Sequence, residues 1–500
     1  MRKLCLLVIV LVVVTGCVPG QSGAPESETV AEIRSADSVV SDFEAALPEL
    51  LDDARIPGLS MCWIREFEIE WCGSFGVTDA DTANAVESST VFQAASLSKP
   101  VFAYILLQLA DRGVIDLDTS LLEYMDIETA RAEHLGQDFV DPRVEEITAR
   151  LVLTHSSGFP NWRRNGELAL LFDPGERFGY SGEGFGLLQK VIEHLTGSSL
   201  EELAEELVFG PLGMTHSTYT PAVLDLDDFA WPHDGAGVPE PRPDNLEQRM
   251  ARAKPHAAAT LMTTAPDYAR FLVALAIGAA LEDATHAELV KPHVDVNDEG
   301  DVAWGLGTGL EVTGDGISVW HWGDNGNSKA FYLVNSERGE GVVYFANAWN
   351  GLGIVGDLVT MAVGGDHPVL TSDLMNTYPP HESPEFGLWS TVYEGGADAV
   401  VRYVRELQRG DTAAPVSERV VNEVGYWLVR QDRLDEALVV FELNVELYPE
   451  AWNAYDSLAE AHMGLGHDAD AIRFYEKSLE LNEENTNAKE MISRITGAVD

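Results

Sequence analysis

Ser96 and Lys99 stand three residues apart in the stretch FQAASLSKPVFAY, Phe92 to Tyr104. A serine hydroxyl attacks a carbonyl carbon only when a base takes its proton, and an uncharged lysine amine one helical turn away is such a base. Lysine ordinarily titrates at about 10.4, so holding it neutral near pH 7 takes roughly 4 kcal/mol from burial or from a neighbouring cation. Tyr180, in FDPGERFGYSGEGFG, and His321, in SVWHWG, suit proton transfer beside such a serine. Taken singly, each has an ordinary explanation: a serine helix cap with an exposed lysine, a packed tyrosine, a strand-end histidine bonded to a neighbour. For the serine–lysine pair and the tyrosine, read singly, those ordinary explanations are the stronger ones, and it is the ordered stretches described below that overturn them.

These side chains need elements to hold them. After Lys99, the residues Phe102, Ile105, Leu106, Leu109 and Ala110 recur at i, i+3, i+4 and i+7, which predicts a helix buried along one face. Pro100 then falls in the first turn, placing Ser96 at the helix N-terminus among exposed N–H groups and the positive end of the dipole. The runs ISVWHWG, KAFYLVN and GVVYFAN are spaced as an antiparallel meander, and SMCWIREFEIEWCGSF reads as an N-terminal hairpin. Strands at both ends with helices between them predict an α+β fold, one sheet completed by both ends of residues 36–370. GLGTGLEVTGDG, Gly305 to Gly316, resembles a nucleotide loop only superficially and reads as turns.

Several stretches together resemble the serine β-lactamase and penicillin-binding-protein superfamily, in particular the class C β-lactamase-related hydrolases that include esterases and D-amino-acid peptidases. Ser96-Leu97-Ser98-Lys99, Tyr180-Ser181-Gly182 and His321-Trp322-Gly323 stand for its three motifs. LVLTHSSGFP, PGERFGYSG and GPLGMTHST resemble recurring segments of it, in order, between about Ser38 and Pro368. The resemblance implies a β-lactamase-like fold, an antiparallel sheet flanked by helices with a helical subdomain. It implies Ser96 as nucleophile, Lys99 as base and Tyr180 as a relay that serves as acid and then as base. The amides of Ser96 and Asp324 would form the oxyanion hole, with Gly323 allowing close approach of substrate and Trp322 and Gly182 beside it. His321 would donate to Tyr180 or substrate and, if protonated, help keep Lys99 neutral. His155, in THSSG, reads as structural.

The chain departs from the family pattern at two places. The asparagine of Tyr-x-Asn is replaced by Gly182, and the permanent cation of Lys-Thr-Gly by the titratable His321. Both changes disfavour β-lactams and favour an ester, lactone or uncharged amide. The alternatives are a D-amino-acid or cell-envelope peptidase with weak β-lactam binding and, in another class, a repeat-based adaptor with an inactive hydrolase body.

Eighty-two acidic against 32 basic residues give a formal charge of -50, which repels nucleic acid and anionic membrane surfaces. The leader MRKLCLLVIVLVVVTGCVPGQSG has the basic start, apolar run and small-residue end of an export signal. Val14-Thr15-Gly16-Cys17 resembles the lipobox of bacterial lipoproteins, which implies a signal over 1–17, lipid on Cys17, a tether over 18–35 and residence in the cell envelope. In an oxidising compartment Cys62 and Cys72 are free to pair as a staple. Their register is ambiguous by one residue, and a one-residue slip would put the sulfurs on opposite faces. No metal or cofactor is expected, for there is no His-Glu-x-x-His and no zinc-ligand company for the cysteines.

Beyond a Pro-rich break the composition turns helical, as a linker over 371–415 and then a region, 416–500, with a 34-residue recurrence. Val424 and Leu458, Ala437 and Ala471, Phe441 and Tyr475, and Leu447 and Leu481 are each one period apart. That period predicts tetratricopeptide-like units closed by a capping helix near Asn487–Ile495. Their role is either a groove for a protein partner or a cover for the catalytic body.

Overall fold

The computed structural model describes residues 35–163, 166–223, 226–409 and 416–497. The leader, Cys17 and nearly all of the tether lie outside the described residues. Helix α1 (Ala36–Asp53) opens on Ser35, whose hydroxyl accepts from the Ser38 amide. It presents Val39, Phe43, Leu47, Leu50 and Leu51 to the core, a 3.6-residue repeat. β1 (Gly58–Arg65) and β2 (Glu68–Gly76) follow as a hairpin. The short β3 (Phe92–Gln93) and β4 (Met262–Thr263) pair with each other. The chain then builds β5 (Val294–Asp295), β6 (Val302–Trp304), β7 (Gly309–Thr313), β8 (Gly316–Asp324), β9 (Lys329–Asn335) and β10 (Gly341–Ala346).

The main sheet has the order β2-β1-β10-β9-β8-β7-β6-β5. β1 lies antiparallel to β10, with Leu59 opposite Ala346 and Ile64 opposite Gly341, so both ends of the catalytic body complete one sheet, as the strand pattern predicts. Side chains alternate between two cores. Leu59, Met61, Trp63, Trp320, Trp322, Phe331 and Leu333 face α1 and the helix Val355–Ala362. Cys62, Ile64, Val319, Tyr332, Val343 and Phe345 face helix α2 (Ser98–Asp111) and the helix Ala265–Ala276. With both faces covered, β9 and β10 are buried along their whole length, which is why they read as unbroken apolar runs.

Two expectations shift. The periodicity of α2 predicts one buried face, whereas every residue from Ser98 to Leu109 is buried. The helix is apolar nearly all round and is enclosed between the sheet and the helical subdomain. The Gly305–Gly316 stretch is more than turns. It contains β7, where Gly309 stays bare because a Cβ there would come within 2.5 Å of the Trp320 indole.

Cys62 and Cys72 form a disulfide and stand directly opposite each other, their Cα atoms 4.1 Å apart. The extra residue that leaves the register ambiguous in the sequence is taken up by a bulge between Trp63 and Ile64, on the turn side of the pair. Closing a loop of this length by the chain-entropy estimate contributes about 3 kcal/mol. Cys72→Ser is expected to lower the unfolding free energy by about 2–3 kcal/mol in urea titrations. Identical midpoints for the variant and the wild type would remove the staple from the account.

After a 3₁₀ turn at Pro368–Thr371, the helix Pro384–Arg409 bends at Gly396 (φ +66°). The helices Glu418–Arg430, Leu434–Leu447, Trp452–Gly464, Asp468–Leu481 and Thr486–Thr496 each pack on the next. Residues one 34-residue period apart occupy matching buried places: Val424 and Leu458, Ala437 and Ala471, Phe441 and Tyr475. The final helix is slightly longer than the sequence predicts and ends where Gly497 turns left-handed (φ +69°). Trp349 of the catalytic body meets Trp389 of the first C-terminal helix, ring centroids 4.6 Å apart.

Candidate active site

Ser96 sits half-buried in a 3₁₀ turn, Ala95–Leu97, that runs straight into α2. The turn is strained and held. Ala95 is left-handed (φ +49°), a conformation that costs an alanine about 1–2 kcal/mol. The Ser98 hydroxyl donates to the Ala95 carbonyl and accepts from the Leu261 amide. Tyr219 and Tyr268 donate their buried hydroxyls to the carbonyls of Ser98 and Leu97, at 2.8 and 2.9 Å.

Lys99 Nζ lies 3.0 Å from Ser96 Oγ. Its other partner is the Ala258 carbonyl, also at 3.0 Å, and the Tyr180 ring covers it at 4.7 Å. No carboxylate among the described residues pairs with it. Burial of this 0% exposed amine pulls its pKa down to about 7. Lys99 is therefore about half uncharged at neutral pH, with burial as the cause.

That answer corrects the expectation for His321. The ring is fully buried on β8, burial and the Lys99 charge lower its pKa to about 3, and the carbonyl of Trp322 opposes this weakly. It is neutral wherever Lys99 titrates and cannot serve as the cation that keeps the lysine uncharged. With Nδ1 donating to the Trp322 carbonyl at 2.7 Å, Nε2 is left as a buried acceptor without a partner.

Tyr180 packs between His155 and Trp322, with ring centroids at 4.2 and 4.8 Å. Burial drives its phenol well above the ordinary range while the Ser96 hydroxyl opposes the rise. It stays protonated, so its hydroxyl is able to donate. The loop is locked by His155, whose Nδ1 accepts from the Ser181 amide at 3.0 Å, and by Ser181, which caps the helix Gly182–Thr196. Burial holds His155 neutral, as that acceptor role requires.

The strand end differs from expectation in detail. Gly323 is approached closely by the nucleophile turn itself: a Cβ on Gly323 would lie 2.5 Å from the Ala94 carbonyl oxygen and 3.3 Å from the Ala95 methyl. Asp324 closes β8 opposite Lys329, and its carboxylate turns to the far face of the sheet, 2.6 Å from Lys329 Nζ. Trp322 also points to that face, where its indole N–H donates to the Tyr378 hydroxyl at 3.1 Å. Of the residues expected at the site, Ser96, Lys99, Tyr180 and His321 come together on the α2 face. Trp322 reaches it only by backing Tyr180.

Gly182 points to residues that sequence reasoning missed. A Cβ at this position would meet the Asn161 carbonyl at 2.8 Å, the Trp162 ring at 3.0 Å and the Asn161 side-chain oxygen at 3.1 Å. The space into which the asparagine of the family motif would extend thus holds Asn161 and Trp162, which come from another loop. That loop is pinned by Arg163, whose guanidinium clamps the buried Glu183. Trp162 is 46% exposed and rests edge-on against His256, 5.5 Å between ring centroids. The signal in the sequence is faint: an Asn-Trp pair after THSSGFP, with nothing to say that it folds back over residue 182.

The Beta-lactamase family model matches residues 43–360. Over 242 residues the chain is 26% identical to esterase EstB of Burkholderia gladioli, 42% of this chain and 59% of that protein. Penicillin-binding protein 4 of Amycolatopsis lactamdurans is 26% identical over 44% of the chain and 60% of its own length. The chain thus spans about three-fifths of these curated relatives. Among solved structures, EstCE1, a hydrolase with promiscuous acyltransferase activity, superposes with a TM-score of 0.54 at 20% identity, over 63% of this chain and 95% of its own. The octameric penicillin-binding protein homologue from Pyrococcus abyssi superposes with 0.53 at 21% identity, over 71% and 82%. With a family match over well more than half of its length, the chain belongs to the beta-lactamase family.

Proposed function

We propose that the protein is an exported serine hydrolase that works through an acyl-enzyme on Ser96, with an ester or uncharged amide as substrate. One observation carries the reading: a buried Lys99 with no ion pair among the described residues and a pKa near 7, placed 3.0 Å from the Ser96 oxygen. In the reading, Ser96 Oγ attacks the substrate carbonyl carbon as its proton passes to Lys99 Nζ. The amides of Ser96 and Asp324 receive the oxyanion, as in the family this chain resembles. Collapse expels the leaving alkoxide or amine, which takes the proton through the Tyr180 hydroxyl. Water then repeats the steps on the acyl-enzyme, and the acid departs with Ser96 restored.

The uncharged substrate follows from His321. A neutral imidazole on β8 offers no positive charge to a substrate carboxylate, where a lysine at that place would. Asn161 and Trp162 supply an amide and an aromatic shelf in place of the missing motif asparagine. The likeness to an esterase supports the same choice. The test is hydrolysis of a short-chain nitrophenyl ester together with stoichiometric labelling by a serine-directed phosphonate, located by peptide mass. A label that survives Ser96→Ala would sink the nucleophile assignment. Labelling of Ser96 without ester turnover would turn the search to D-amino-acid peptides.

Export and lipid anchoring at Cys17 rest on the leader and are supported by the Cys62–Cys72 disulfide, which persists in oxidising compartments. Incorporation of labelled palmitate that is unchanged by Cys17→Ser would remove the anchor. The matching buried positions 34 residues apart support tetratricopeptide-like units over 416–500. A pull-down that needs these residues but tolerates Ser96→Ala would give them a partner of their own.

A further inference from the structure

A cavity of about 450 Å³ lies at the seam between the catalytic body and the C-terminal helices. On one side it is walled by the far face of the catalytic sheet, Asp324 at the end of β8 and Lys329 at the start of β9. On the other side stand Arg419, Glu423 and Arg430 of the helix Glu418–Arg430. Trp349, Phe386 and Trp389 give it apolar walls.

Its charge runs against the rest of the chain. The lining holds three cations and two acids, where the whole sequence has 32 and 82. Both acids are engaged: Asp324 with Lys329 at 2.6 Å and with the Tyr378 hydroxyl at 2.9 Å, Glu423 with Arg419 at 2.6 Å. Arg430 forms no ion pair with a described residue, although its neighbours Arg419 and Arg433 do. Lys329 is 3% exposed, and burial pulls its pKa down against the pull of Asp324 and, more weakly, of Glu423.

We propose that this cavity binds a small organic monoanion, its acid group between Arg430 and Lys329 and its apolar body among Trp349, Phe386 and Trp389. The volume falls within the range of small-molecule sites, roughly 300–1,000 Å³. The two carboxylates in the wall oppose a second negative charge on the ligand, which separates a carboxylate from a phosphomonoester.

The site also touches the reaction, a part that rests on the proposed function. Tyr378 donates to Asp324, whose amide is the expected oxyanion donor, and accepts from the Trp322 indole, which backs Tyr180 at 4.8 Å. An occupant leaning on Asp324, Lys329 and Tyr378 would bear on the strand end that faces Ser96.

The test is a calorimetric titration of phenylacetate into the full chain, with phenyl phosphate as the doubly charged comparator and no turnover required. One site is expected, weakened at least tenfold by Arg430→Gln and by Lys329→Gln, and unchanged by Trp162→Ala at the active-site mouth. Arg430 is exposed, so its variant is expected to fold, with a thermal melt as the check. No heat of binding, tighter binding of phenyl phosphate, or weakening by Trp162→Ala alone would overturn the assignment. Because binding is read directly, an inactive enzyme that still binds would sink the catalytic reading and leave this one standing.

Discussion

Replacement of Lys99 by methionine is expected to lower kcat/KM for an ester by at least roughly 10³-fold while making the protein more stable. The two effects share one cause. Lys99 titrates at about 7 in the folded chain against 10.5 when exposed, because burial penalises its charged form. The unfolded chain therefore binds a proton that the folded chain does not between about pH 7 and 10.5, and stability rises with pH across that window. Below pH 7 the full penalty applies, about 4–5 kcal/mol as an upper bound. Methionine fills similar space without charge, so the variant is expected to gain most in urea midpoint at or below pH 7, and the gain should shrink as pH approaches 10. The unsatisfied Ala258 carbonyl would take back about 1–3 kcal/mol. Wild-type kcat/KM should rise with pH and level off above about 7, a limb the variant should lack. A merely tenfold loss of rate would mean that another group is the base, and equal midpoints at pH 6 would mean that Lys99 is not held against its charge.

What the sequence makes legible follows from how local the physics is. The helix after Ser96 and the three-strand meander depend on periodicity and are present, the helix buried all round rather than along one face. The pairing of Cys62 with Cys72 depends on a single bulged position in a short hairpin, and no local preference says on which side of the cysteines it falls. Whether His321 is protonated stays open in the sequence because a histidine pKa depends on enclosure from all sides. The sequence shows only its strand. Asn161 and Trp162 are visible as residues but not as neighbours of Gly182, since their loop is brought over by the Arg163–Glu183 pair. Tyr378 lies past the end expected for the catalytic body near Leu370, yet its hydroxyl ties Trp322 to Asp324. Long-range polar contacts of this kind leave no periodic trace.

Gly323→Ala is expected to lower kcat/KM by about 10²-fold or more. The position looks permissive in the sequence, a glycine at the end of a strand where substrate is admitted. The packing gives a stricter reason: the added methyl would sit 2.5 Å from the Ala94 carbonyl oxygen, a separation that real Cβ atoms essentially never show. Backbone has to move, because the contact is a carbonyl and not the tip of a flexible side chain. The Ala94 amide is bonded to the Leu261 carbonyl, and the next residue is already strained at φ +49°. Either Ala94, at the entry to the turn that carries Ser96, or the end of β8 has to give, and both change the spacing between Ser96 and the strand end. A displacement near 1 Å is enough for a loss of this order. The overpacking itself costs about 1–3 kcal/mol, so the variant is expected to fold and its loss to fall mainly on kcat. Adding Ala95→Gly removes the contact with the Ala95 methyl, at 3.3 Å, and the left-handed strain, but leaves the carbonyl clash and the Ala330 methyl at 3.2 Å. The double variant should therefore recover stability and little activity. Full recovery of kcat would show that the Ala95 methyl, and not the Ala94 carbonyl, is what residue 323 must leave room for.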